Sequence, residues 1–120
     1  MSVRAIRGAI SVGSNTIPEI HKGVKELLPA ILAANGLEII DVISVILTAT
    51  PDLTADFPAA AAREIGFGAV PLLCASEIAV PGALPLIIRV MLWCNTSKDS
   101  SEINHIYLKE AASLRKDLAQ

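Results

Sequence analysis

The amino-acid sequence predicts an α+β fold in which one mixed β-sheet packs against one long helix. Three observations lead there. Apolar residues recur at helical spacing between Thr16 and Asn35, runs rich in β-branched residues flank that stretch on both sides, and the segments follow the order β-α-β-α-β-β-β.

Val3 to Val12 alternates β-branched with small or charged residues, as a strand does, and Gly13-Ser14-Asn15 supplies the turn after it. Thr16 has the character of a helix N-cap. Pro18 falls in the first turn, and Glu19 stands three residues after Thr16, the spacing of a capping box. Ile17, Ile20, Val24, Leu27, Leu28, Ile31 and Leu32 then form one apolar stripe, which Asn35-Gly36 ends. Val42 to Thr50 is a continuous β-branched run, so a strand covered on both faces is expected. Pro51-Asp52-Leu53 opens a loop. A short Ala-rich helix is expected from Pro58 to Ile65, stopped by Gly66. Further strands are expected from Val70 to Cys74, Leu86 to Asn95 and Ile103 to Leu108, with a helical tail from Ala111 to Leu118.

At 120 residues the chain has the size of one domain, 1–120, with no linker, repeat or low-complexity tract. Hydrophobic residues make up 52% and charged residues 18%, more apolar surface than so short a chain hides by itself. Burial against further copies of the same chain is therefore expected. A net charge of −2 without a basic stripe disfavours nucleic acid. The most apolar stretch, Ala83 to Cys94, is interrupted by Pro85 and Arg89 and is too short to cross a bilayer, so no membrane partner is expected. Met1 to Arg7 lacks the apolar core of a signal peptide. Cys74 and Cys94 have no metal-like spacing and read as reduced thiols of a cytoplasmic protein.

The motifs of nucleophilic, metal and phosphate chemistry are missing: there is no Gly-rich phosphate loop, no HExxH and no CxxC. His21 and His105 have no nucleophile or carboxylate at a recognisable spacing, and both read as solvated or structural. Chemistry without metal or covalent intermediate is expected. The arginines say more. Arg89 lies in Leu86-Ile87-Ile88-Arg89-Val90-Met91-Leu92, where a guanidinium loses hydration and needs an anionic partner. An internal salt bridge and a bound anion satisfy that need equally well. Arg7 repeats the pattern in Ala5-Ile6-Arg7-Gly8-Ala9, although a surface position on an edge strand is the plainer reading. Arg63, on the Ala-rich helix, would alone be a solvated cation. Taken together they suggest a pocket for more than one carboxylate, because a guanidinium pairs with a carboxylate bidentately. Glu77, just beyond a buried-looking strand, is either a loop carboxylate or an acceptor for a ligand hydroxyl. Tyr107 reads as a core tyrosine with its hydroxyl at the surface, and Cys74 as a small apolar core residue.

Several stretches, in order, resemble the small monofunctional chorismate mutases of the trimeric mixed-sheet type, as distinct from the all-helical type. They are Arg4-Ala5-Ile6-Arg7-Gly8-Ala9, Leu47-Thr48-Ala49-Thr50-Pro51-Asp52-Leu53, Phe57-Pro58-Ala59 with Arg63-Glu64, Val70-Pro71, Cys74 with Glu77, Ile88-Arg89-Val90-Met91, His105-Ile106-Tyr107-Leu108 and Leu114-Arg115. The resemblance runs from near the first residue to near the last, and the LTATPDL, FPA and IRVM stretches are fairly specific as a set.

The resemblance implies a ferredoxin-like α+β fold assembled as a pseudo-α/β-barrel homotrimer with interfacial active sites. It also implies the [3,3]-sigmatropic rearrangement of chorismate to prephenate, in the phenylalanine and tyrosine branch of aromatic amino-acid biosynthesis, with no cofactor. Arg89 would stand against the breaking ether oxygen and a carboxylate, Arg7 and Tyr107 would hold a carboxylate, and Glu77 would accept from the ring hydroxyl with Cys74 beside it. Leu73 would lie along the ring. Phe57, Ala59 and Arg63 would come from the neighbouring subunit, and Leu114 and Arg115 from the C-terminal tail. Ala60 departs from the family by standing where a basic residue is frequent, Gly66-Phe67-Gly68-Ala69 is one residue shorter than in some relatives, and the tail stops soon after Arg115. Two other classes would use arginines in this way: a small trimeric imine deaminase, and a metabolite-binding module without catalysis.

Overall fold

Ser2–Ser11 forms the strand around which the sheet is built, β1. It is followed by α1 (Ile17–Ala34), β2 (Val42–Ala49), α2 (Pro58–Glu64), β3 (Leu72–Ser76), β4 (Ile87–Thr96) and β5 (Ile106–Leu108). The computed structural model describes residues 1–115. The sheet has the order β3-β2-β4-β1-β5. The β1–β4 and β2–β4 pairs are antiparallel, whereas β1–β5 and β2–β3 are parallel, so the sheet is mixed as expected.

The long helix forms where the sequence places it. The Thr16 side chain accepts the Glu19 N–H at 3.3 Å, satisfying one of the free donors of the first turn. At the other end Gly36 takes φ +62°, and the Leu37 N–H reaches back to the Leu32 carbonyl at 2.9 Å. The buried stripe of Ile20, Val24, Leu27, Leu28 and Ile31 packs on Ile6, Ile10, Ile88 and Leu92 of the sheet. Each such side chain withdrawn from water contributes about 1.5–3 kcal/mol. Gly8 admits this packing: a Cβ there would stand 2.6 Å from Ile31 Cδ1 and 3.2 Å from the Ile106 carbonyl oxygen. Residues Ala59, Ala61 and Ala62 of α2 join the same core, so both helices cover one face.

Four expectations change. Burial along β2 alternates, with Val45, Leu47 and Ala49 buried and Ser44, Ile46 and Thr48 partly open, so this chain covers the strand on one face only. β3 begins at Leu72 rather than Val70, because the Val70 N–H closes a turn onto the Phe67 carbonyl; it then runs on to Ser76. β5 begins at Ile106 rather than Ile103, because the buried Asn35 side chain takes the backbone just before it. Asn35 Nδ2 donates to the Asn104 carbonyl at 2.9 Å, and Oδ1 accepts the Asn104 N–H at 2.8 Å. The tail expected as a helix from Ala111 to Leu118 is a short 3-10 segment, Lys109–Ser113, and 116–118 lie outside the described residues.

The second face of the sheet carries a different set. Strand register puts Arg7 beside Met91, and Arg89 beside Ala9 and Thr48, all pointing away from the helices. Leu73 and Trp93 lie on this face too, with Leu73 63% exposed. Among the described residues only one end of it is covered, where Ala9, Ile87 and Ala111 are buried against Leu84, Tyr107 and Leu114.

Candidate active site

A single row of aligned residues crosses the sheet on the open face: Ala75 of β3, Thr48 of β2, Arg89 of β4, Ala9 of β1 and Tyr107 of β5. The next row holds Leu73, Ile46, Met91 and Arg7. Strand pairing thus brings together groups more than eighty positions apart in sequence, such as Arg7 and Arg89. A cleft of about 240 Å³ opens over these rows, lined by Arg7, Ile46, Thr48, Arg89, Met91, Tyr107 and Arg115, with backbone from Gly8 and Val90.

Arg89 is 44% exposed in its side chain. The expectation that it sits dry between apolar neighbours is therefore corrected for this chain. Ile88 and Val90 point to the helices, and Arg89 points the other way, as strand alternation requires. Its partner is Glu77: Nε donates to Glu77 Oε1 at 3.2 Å, and Thr48 Oγ1 donates to Oε2 at 2.6 Å. Glu77 is 17% exposed in its side chain, and its N–H bonds the Ala49 carbonyl at 2.9 Å, which fixes its backbone to the end of β2. The guanidinium is thus oriented by a carboxylate that is itself held at both oxygens, with only the Nε edge engaged by it.

The remaining expected site residues fall into two groups. Leu114 packs over Tyr107 and Ala9, beside the cleft that Arg115 lines. Phe57 lies instead on a separate hollow of about 480 Å³, with Asp56, Pro58, Cys74, Ala75 and Ser76. Phe57 is 69% exposed, whereas Ala59 is buried in the helix-side core. Arg63 is exposed on α2, near enough to Asp56 to help hold that carboxyl below its usual range, after the larger effects of hydrogen bonds from His21 and from the Phe57 N–H. Leu73 is exposed on the open face.

Thr48 and Asp52, given no role in the sequence reading, shape the site, and so does His105, read there as solvated or structural. Thr48 fixes Glu77. Asp52 Oδ2 accepts the Leu86 N–H at 2.9 Å and holds Leu86 at φ +58°, where the chain turns into β4. Burial works against the Asp52 charge, but hydrogen bonds from Thr50, from its own backbone and from Leu86 outweigh it and lower its pKa. His105 Nδ1 accepts the Arg7 N–H at 2.9 Å, extending the β1–β5 ladder by one rung. Burial, and then the charges of Arg7 and Arg115, push the His105 pKa below its ordinary value, in keeping with an acceptor nitrogen. His21, expected to be solvated or structural, is partly buried against Asp56 and Glu64, two carboxylates that its sequence neighbourhood does not contain.

Among the described residues, Arg7, Arg89 and Arg115 line the cleft and the Glu77 carboxylate lies beside it. Among the described residues, no group of three or more His, Cys, Asp or Glu stands where it could hold a metal, and no helix is long and apolar enough to cross a membrane.

Known proteins match this chain over nearly its whole length. The family model for chorismate mutase type I matches residues 3–118. A chorismate mutase AroH of Thermus thermophilus is 50% identical over 117 residues, 97% of this chain and 96% of the relative. That of Bacillus subtilis (strain 168) is 42% identical over 120 residues, 99% and 94% of the two chains. The solved structure of a chorismate mutase from Clostridium thermocellum superposes with a TM-score of 0.90 at 48% identity, over 92% of this chain and 98% of that one. A cationic cleft on the open face of a mixed sheet and these matches agree, and the chain belongs to the type I chorismate mutase family.

Proposed function

We propose that the chain, as a chorismate mutase, converts chorismate to prephenate in aromatic amino-acid biosynthesis by holding a compact diaxial conformer against Arg89. The observation that carries this reading is the Thr48–Glu77–Arg89 unit, a guanidinium pre-oriented at the floor of a cationic cleft. A pericyclic rearrangement asks for no nucleophile, base or cofactor. It asks for near-attack geometry and for positive charge where the ether oxygen becomes negative, and a fixed guanidinium provides that without reorganising.

Each residue has a task in this reading. Arg89 meets the ether oxygen and a carboxylate, and Arg7 and Tyr107 bind a carboxylate. Glu77 orients Arg89 and accepts from the ring hydroxyl, with Cys74 beside it and Leu73 along the ring. Phe57, Ala59 and Arg63 complete the pocket of a neighbouring subunit, and Leu114 and Arg115 close over it. The span 1–120 acts as one domain of a cytoplasmic homotrimer. The open face of the sheet, with Leu73 and Trp93 on it, supports the assembly, since apolar area of that kind calls for a covering partner. The test is direct: purified protein mixed with chorismate consumes it and yields prephenate. A folded protein that leaves chorismate unchanged refutes the proposal, and a stable, active monomer refutes the shared pocket.

A further inference from the structure

The loop that carries Phe57 is tied to the start of α1 by side chains that lie outside the cleft. Asn15 Oδ1 accepts the N–H groups of Thr54 and Ala55, both at 2.9 Å, and its Nδ2 donates to Thr54 Oγ1 at 2.9 Å. Farther along, His21 Nε2 lies 2.7 Å from Asp56 Oδ2, while Asp56 Oδ1 accepts the Phe57 N–H at 2.7 Å. At the far end of α2, Glu64 Oε2 stands 2.6 Å from Lys25 Nζ and 3.5 Å from His21 Nδ1. One imidazole therefore reaches the residues on both flanks of the segment from Phe57 to Arg63.

The Phe57 end of that segment needs such support, whereas α2 behind it is anchored in the core by Ala59, Ala61 and Ala62. The Phe57 ring is mostly exposed, so packing within its own chain does little to fix it. A loop that must order when ligand arrives charges its lost freedom against affinity, and a loop already pinned does not. We propose that His21 is a positioning residue: through Asp56 and Glu64 it holds the Phe57–Arg63 segment in the arrangement that receives the substrate. This rests on the function proposed above, because it takes Phe57 and Arg63 to belong to a substrate pocket.

Fluorine NMR and kinetics together test it. Phe57 and Phe67 are the two phenylalanines of the chain, so labelling with fluorophenylalanine reports one residue of the loop and one of the core. His21→Leu should shift or broaden the Phe57 resonance and leave that of Phe67, a fully buried side chain, unmoved. It should raise KM about five- to tenfold, the scale of ordering one loop, with kcat within about twofold of wild type. His21→Gln keeps a donor for Asp56 and should restore both signals. An unchanged Phe57 resonance in His21→Leu overturns the proposal, as does an unchanged KM. Equal disturbance of Phe57 and Phe67, with kcat falling as far as KM rises, would make His21 a general structural residue and overturn it as well. If no form of the protein acts on chorismate, the proposed function fails, while the Phe57 signal still decides whether His21 orders the loop.

Discussion

Ile46 and Leu47 are adjacent in β2 and have opposite duties. Leu47 is 0% exposed beneath the helices, in the same core as Val45, Val90 and Leu92. Ile46 points to the other side, partly open, and lines the arginine cleft beside Met91. The same contrast runs along much of the sheet, because successive side chains alternate between faces, and it fades at the covered end, where Ala9 and Ile87 are buried on the second face too. One face of the sheet is finished by its own chain and supplies stability. The other carries Arg7, Arg89 and Tyr107 among apolar residues that this chain leaves partly open. The lesson is that parity along a strand, more than residue type, separates what holds this protein together from what it does.

Removing the charge of Arg89 is the largest test of that division. Replacing it with citrulline, which keeps several donors and the planar shape, should cost on the order of 3 kcal/mol or more in transition-state stabilisation, read as kcat. Arg89→Lys, with charge but no fork, should fall between. Circular dichroism and sizing should stay normal. If turnover survives while stability falls, Arg89 serves only its pair with Glu77, and the open face is as structural as the covered one.

The adjacent pair in β2 sharpens the comparison. Leu47→Ala should lose about 3 kcal/mol of folding stability in urea, through lost burial and a cavity. Ile46→Ala should cost much less in the single subunit and should instead weaken assembly, seen as a concentration-dependent mass in light scattering. Equal losses of folding stability would erase the distinction between the faces.

Glu77 sets a smaller difference. Glu77→Ala should lower kcat/KM by about 1–3 kcal/mol, with Glu77→Gln keeping part of that. An alanine variant as active as wild type would remove Glu77 from the site.

The smallest effect is a pH dependence at the seam between β1 and β5. His105 has a lowered pKa in the folded state, so the unfolded chain takes up the proton first as pH falls. Its contribution to stability is therefore fully present above about 6.5, the ordinary value, and is lost as pH falls through the folded value. Urea midpoints at pH 7.5 and about 5.5 should differ for wild type, and His105→Asn, which keeps an acceptor but cannot titrate, should flatten the difference. A variant with the same slope as wild type would place the titration elsewhere.

How much of this was legible in the sequence follows from the range of each interaction. The long helix was readable because its cap, stripe and stop all lie within its own span. Arg89 was readable as a charge in an unlikely place but not as a residue of the open face. The run Ile87-Ile88-Arg89-Val90-Met91-Leu92 is apolar on both parities, and nothing local tells which half its own chain covers. Whether Arg89 needed an internal or an external anion depended on Glu77, which reaches it through the register of three strands. Thr48 and Asp52 were missed for the same reason, and His105, read as solvated or structural, could not be given its partner. The contact between His105 and Arg7 spans 98 positions, and no periodicity carries that far. Roles within the cleft came from the family resemblance, not from spacing.

The position of β1 in the sheet also has a consequence for how the protein is made. β1, the first of the five strands to leave the ribosome, lies between β4 and β5, the last two of them. Until residue 87 emerges, β1 has neither neighbour, and its two edges are unpaired backbone on a chain still being extended. Closing so long a loop is slow, because contacts far apart in sequence repay their entropy only when they form. The nascent chain therefore depends on the early α1 to shield Ile6 and Ile10 from neighbouring chains. Arg7 is translated well before Arg115, so the cleft that both line can be complete only once Arg115 has been made.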